Sequence, residues 1–121
     1  MIVNRSLIVF AAVNGATAVV VGAFAAHGAG PAAKTLLTTG AQYQMVHALL
    51  ALACGLWGVR LAVVAGWLAS AGGFVFCLAL ALLARLHLPV MGAVAPVGGV
   101  LMIAGWLLLI FAALRSRTVN A

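Results

Sequence analysis

Four apolar stretches, each about the length of a bilayer crossing, alternate with short breaks along this chain. The first runs from about Ser6 to Ala26 and is interrupted only by Asn14 and Thr17. The others run from about Ala41 to Val59, Leu61 to Ala84 and Val97 to Leu114. A helix needs about 20 mostly apolar residues to span the hydrocarbon, so the pattern predicts an all-α integral membrane four-helix bundle, antiparallel, forming a single transmembrane domain over residues 1–121.

Small residues recur at helical spacing inside each stretch. In the first they are Ala11, Gly15, Ala18, Gly22 and Ala26, and in the second Ala48, Ala51, Gly55 and Gly58 beside Gln44. The third has Gly66, Ser70, Gly73 and Cys77, and the fourth Gly98 and Gly105 around Met102. Such faces let helix backbones approach closely where no hydrophobic drive separates helix from lipid. Gly15, Gly22, Gly55, Gly66, Gly73, Gly98 and Gly105 are therefore the expected helix-packing positions. Asn14 lies near the first of these faces and is expected to bond across to a neighbouring helix.

The breaks differ in kind. His27-Gly28-Ala29-Gly30 opens a connector in which Pro31 suits a first helical residue and Gly40 a terminator. This predicts a short interfacial helix over Pro31–Thr39 between the first and second spans, with Lys34 at the headgroups. Gly58 and Arg60 leave room only for a tight turn, so the third span returns antiparallel to the second. Leu88 to Pro96 is apolar but broken by Pro89, Gly92 and Pro96. It reads as a partly inserted hairpin, with Pro96 at the start of the fourth helix.

Composition sharpens the class. The chain is 68% hydrophobic with a mean hydropathy of +1.34, far above a soluble domain, and contains neither Asp nor Glu. Paired-carboxylate hydrolysis, oxygen-ligand calcium or magnesium sites and carboxylate proton relays all need side chains that are absent. The formal charge of +6 comes from Arg5, Lys34, Arg60, Arg85, Arg115 and Arg117. At helix ends these are topology signals and contacts for membrane lipids, anionic lipids included, and they form no basic stripe for nucleic acid. Arg5, Arg60, Arg115 and Arg117 fall on the side of the termini, against Lys34 and Arg85 opposite, which predicts cytoplasmic N and C termini. Arg5 followed by an apolar run and Ala23-Phe24-Ala25 has the look of a signal peptide. Leu7 to Phe24 exceeds the usual ~7–15-residue core of one, so an uncleaved first span is expected.

The residues that could carry chemistry gather around the first break. By depth, His27, Tyr43, His47 and His87 are expected together in the outer half of the bundle, with Gln42 and Gln44 beside them. Two imidazoles could ligate copper, zinc or haem iron, and a tyrosine beside a histidine could bond a quinone or lipid headgroup. Spacing favours neither, since HExxH, CxxC and CxxCH are missing. The expected role is a bonded His/Tyr/Gln network that staples the connector onto the bundle, with no cofactor and no metal. Cys54 and Cys77 fall at different depths and are expected to stay unpaired. No nucleophile has a convincing base and His47 has no acidic orienter, so no catalytic residue is assigned.

Gly22-Ala-Phe-Ala-Ala-His-Gly28, then Gln42-Tyr43 with His47-Ala48-Leu49, then Pro96-Val-Gly98-Gly99 and Gly105-Trp106 together resemble domain-of-unknown-function family 423, the YgdD-like small bacterial membrane proteins. The resemblance covers nearly the whole chain. It implies a four-helix protein of the bacterial inner membrane, with His27, Tyr43, His47, Gly98, Gly99, Gly105 and Trp106 at family motif positions. Where that family usually has a Ser-Gly-Ser-x-Tyr-like segment, this chain has Cys77-Leu78-Ala79-Leu80-Ala81, and Ala95 replaces a common Thr before Pro96. The expected function is a non-enzymatic accessory or structural membrane subunit. The alternatives are a small oligomeric transporter or channel and a quinone-, lipid- or metal-binding subunit, acting as a homo-oligomer or within a larger complex.

Overall fold

The computed structural model describes residues 2–116, which form four helices: α1 (Arg5–His27), α2 (Pro31–Trp57), α3 (Arg60–Leu86) and α4 (Met91–Arg115). Asn4 starts α1, its Oδ1 accepting the Leu7 N–H at 2.9 Å, and its own N–H donates to the Gly55 carbonyl at 2.9 Å. One asparagine thus caps one helix and ties it to the far end of another. Gly58 ends α2 at φ +78°, where a side chain would run into the Ile2 carbonyl oxygen, so glycine is required twice over.

The helices follow one another up and down, each packing on the next. α3 is sandwiched between α2 and α4, α1 lies along α2, and α1 touches α3 lightly. α1, α3 and α4 are each long and apolar enough to cross a membrane. α2 is diluted by Lys34, Gln42, Tyr43, Gln44 and His47, yet it runs alongside its neighbours for its whole length. At one end Leu37 is buried with Ala25 and Ala84; at the other, Cys54 and Ala51 are buried with Leu7, Ala11, Ala62 and Ala65. The result is a membrane-spanning, all-α four-helix bundle.

Two sequence expectations are corrected. Among the described residues no separate interfacial helix stands between the first two spans, because Pro31 opens one helix that continues through Gly40 to Trp57. Gly40 serves as a contact: it is buried, and a Cβ there would lie 3.1 Å from the Cys77 Cα. Helix four likewise begins at Met91, so residues 91–96 are helix and Pro96 lies inside it. The Met91 N–H bonds the Leu88 carbonyl and the Gly92 N–H the Pro89 carbonyl, both at 3.0 Å, and these turns nucleate the helix before Pro96 is reached. Pro96 has no N–H to offer Gly92, which is tolerable this near the helix start.

The small-residue faces meet where helices approach. A Cβ on Gly66 would lie 2.7 Å from the Leu7 side chain, one on Gly55 2.8 Å from Ile8, and one on Gly73 3.3 Å from the His47 Cβ. Gly22 has Ala41 at 3.8 Å, whereas Gly15 has no neighbour within 4 Å. The tightest approach is between α3 and α4: a Cβ on Gly98 would stand 2.6 Å from the Phe76 nitrogen and 2.7 Å from the Gly72 carbonyl oxygen. A Cβ on Gly105 would lie 2.9 Å from the Ala65 carbonyl oxygen. Cys54 and Cys77 are both buried and free.

Candidate functional site

Because α2 starts at Pro31, His47 lies sixteen residues along it, roughly 24 Å at ~1.5 Å per residue. That places His47 just past the midpoint of the 27-residue α2, farther from the connector than the sequence reading has it. Two polar side chains leave α2 at this level in different directions, Gln44 toward α1 and His47 toward α4.

The Gln44 Nε2 donates to the Asn14 Oδ1 at 2.8 Å, and the Asn14 Nδ2 donates to the Phe10 carbonyl at 3.0 Å. Asn14 does bond across to a neighbouring helix. The order of donors along this chain is forced by the Phe10 carbonyl, and it leaves the buried Gln44 Oε1 without a partner among the described residues. Ser70 satisfies itself on its own helix, its Oγ donating to the Gly66 carbonyl at 2.7 Å.

On the other side, the Trp106 Nε1 donates to the His47 Nε2 at 2.9 Å, and the His47 Nδ1 lies 2.7 Å from the Tyr43 carbonyl oxygen. An indole nitrogen only donates and a carbonyl only accepts, so the ring is neutral with its proton on Nδ1. Both nitrogens are engaged, and His47 is 5% exposed. The Tyr43 ring lies nearly parallel to the imidazole, centroids 6.3 Å apart, and meets the Phe76 ring edge-on at 5.2 Å. His47 and Trp106 are themselves edge to face at 5.9 Å.

These rings line a groove of about 500 Å³ between α2 and α4, floored by Phe76 of α3. Thr39 and Tyr43 bring hydroxyls to it, while Gly99, Met102, Ile103 and Trp106 form the α4 wall. Tyr43 also borders a second hollow of about 540 Å³ on the outer face of α2, with Gln42, Met45, Val46 and His47.

The structure therefore brings together only part of the cluster expected from sequence. Tyr43 and His47 adjoin; Gln44 turns away toward α1; Gln42 is exposed on α2. His27, the last residue of α1, and His87, the αL cap of α3 at φ 52°, are exposed at the connector ends. The network joins α2 to α4 and α1, not the connector to the bundle. Trp106, a motif position in the resemblance, was not part of the expected cluster, and its indole is the donor that decides the histidine's state. Among the described residues, no three His, Cys, Asp or Glu side chains gather where a metal could be held.

A sequence model of the family described as "Protein of unknown function (DUF423)" matches residues 21–99. The chain belongs to the DUF423/UPF0382 family. It is 38% identical over 120 residues to the UPF0382 membrane protein YwdK of Bacillus subtilis (strain 168), an alignment covering 92% of this chain and 98% of the relative. UPF0382 membrane proteins of Staphylococcus aureus (strain bovine RF122 / ET3-1) and Staphylococcus saprophyticus are 36% and 37% identical, covering 92% and 88% of this chain and 97% and 94% of theirs. No solved structure matches. This DUF423 protein is thus a small bacterial multi-pass membrane protein whose helices contact lipid. The matched segment, 21–99, takes in the whole of α2 and α3 and the groove residues through Gly99.

Proposed function

We propose that this DUF423 protein is a non-enzymatic accessory component of the bacterial cytoplasmic membrane whose α2–α4 groove seats the apolar chain of a lipid-like amphiphile. The observation carrying this reading is the groove itself. It lies at membrane depth, its volume of about 500 Å³ falls in the ~300–1,000 Å³ range of ligand pockets, and its walls are apolar and aromatic apart from hydroxyls at Thr39 and Tyr43. The imidazole beside it has both nitrogens engaged, which leaves no lone pair for a metal or for proton abstraction unless Trp106 lets go. The chain has no carboxylate side chain to assist either.

Gly99 provides the test, because it lines the groove and has no neighbour within 4 Å, so a larger residue fills the groove without disturbing helix packing. Gently extracted wild-type protein, examined intact by native mass spectrometry, is expected to retain a chain-bearing molecule that Gly99→Leu loses by about tenfold, the equivalent of ~1.4 kcal/mol. Equal retention by the variant sinks the groove reading. A quinone in the groove would show itself by its ultraviolet absorption. A substrate flux into vesicles that Gly99→Leu blocks would replace an accessory role with a carrier, and the same spectra read the number of copies per assembly.

The reading also sets the orientation. Arg5, Arg60 and Arg115 stand at the end where α1 begins and α4 ends, Lys34 and Arg85 at the other, and Arg117 lies outside the described residues. The positive-inside bias turns the termini to the cytoplasm, where anionic lipids meet the arginines. A carboxy-terminal alkaline phosphatase fusion is expected to be inactive and a green fluorescent fusion bright. The reverse pattern inverts the topology.

A further inference from the structure

Antiparallel packing puts the start of α3 beside the end of α4, and the seam between them opens into a hollow of about 280 Å³ lined by Val59, Arg60, Leu61, Ala112, Arg115 and Ser116. Two arginines from different helices, Arg60 and Arg115, thus line one space. In a chain without Asp or Glu, no acidic side chain can neutralise them. Two like charges sharing a hollow repel each other, and an anion between them turns that repulsion into two attractions. The Arg115 Cζ lies 5.5 Å from the centroid of the Phe111 ring one turn back on α4, a contact that restricts the freedom of its side chain. The hollow sits at the helix ends, at the level of lipid phosphates. It is too small for a whole lipid and large enough for a headgroup.

We propose that Arg60 and Arg115 form a two-armed clamp for one phosphate group whose negative charge no cation of its own molecule offsets, recognised through the forked donors that suit guanidinium to phosphate oxygens. The proposal rests on the reading that the end carrying the termini meets an anionic leaflet. It differs from it in assigning one retained molecule to two named side chains. The phosphate has two sources, the headgroup of an anionic phospholipid or a free anion.

Purified protein offered equal amounts of phosphatidylglycerol and phosphatidylcholine is examined by native mass spectrometry. The wild type is expected to keep one phosphatidylglycerol in preference. Arg60→Gln/Arg115→Gln, with helical content checked by circular dichroism, is expected to lose that preference by about tenfold, or ~1.4 kcal/mol. Arg5→Gln, which alters a cation outside the hollow, is expected to keep it. Arg115→Lys keeps the charge but not the fork and is expected to fall between, which gives a second reading independent of the double variant. Inorganic phosphate that displaces the lipid identifies a free anion as the natural occupant; failure to displace it identifies the headgroup. Retention in the double variant equal to wild type, or equal retention of the two lipids by wild type, overturns the clamp. The reporter fusions test the orientation separately, so a failure there is not confused with a failure here.

Discussion

Replacing Gly98 with alanine is expected to force α4 away from α3 and to destabilise the protein by about 1–3 kcal/mol or more, the usual result of overpacking a tight contact. The added methyl would stand 2.6 Å from the Phe76 nitrogen and 2.7 Å from the Gly72 carbonyl oxygen. Both are backbone atoms of a helix, so neither can swing aside as a side chain could. Association of membrane helices depends on this close contact, because lipid is as apolar as the helix surface and expels nothing. The adjacent Gly99 is the internal control. It shares the same helix and nearly the same depth but has no neighbour within 4 Å, so Gly99→Ala is expected to change stability by less than about 0.5 kcal/mol. Unfolding in a mixed-micelle denaturant titration measures both. If Gly98→Ala unfolds at the wild-type midpoint, the α3–α4 backbone contact is not what holds the helices together.

The contrast between these two glycines also shows what a sequence can reveal about such a fold. Apolar length alone discloses the number of crossings, because hydrocarbon permits little else than a helix. Helical spacing of small residues points to faces such as Gly66 and Gly73, and a lone Asn14 in an apolar span needs a partner on another helix. Local breakers were less informative. Gly40 and Pro96 carry the signals of a helix end and a helix start, yet Gly40 is held within α2 by the approach of Cys77 and Pro96 is carried inside α4 by the turns at Leu88 and Pro89. Those outcomes are set by contacts and turns that a single-residue signal does not contain. The site was legible by half for the same reason. Tyr43 and His47 are four apart on one helix, so their adjacency follows from helix geometry. The partner of the His47 Nε2 is 59 positions away on another helix, and nothing local selects Trp106 for it. His27 and His87 do share the connector end with the start of α2, but extending α2 back to Pro31 carries His47 away from them.

That His47–Trp106 bond makes the second strong prediction. His47→Ala is expected to cost about 1–3 kcal/mol, because the indole N–H loses its acceptor at a depth where water does not replace it. Trp106→Phe removes the donor instead and leaves the His47 Nε2 lone pair without a partner. In the double variant both halves are gone, so the two losses should not add. A double-mutant cycle in lipid is expected to return a coupling of ~0.6–1.7 kcal/mol, the range of measured hydrogen bonds between membrane helices. The cycle separates the bond from the packing that each substitution also disturbs, since packing losses at sites that do not interact would add. The tautomer supplies a readout that packing alone would not move. Nitrogen-15 spectra of the wild type are expected to show His47 protonated on Nδ1 and bare on Nε2, with the Nε2 resonance shifting when Trp106 becomes Phe. A proton on Nε2, or a coupling of zero, would mean that α2 and α4 are not joined through this pair. The groove between them would then lack the fixed edge that a seated chain requires.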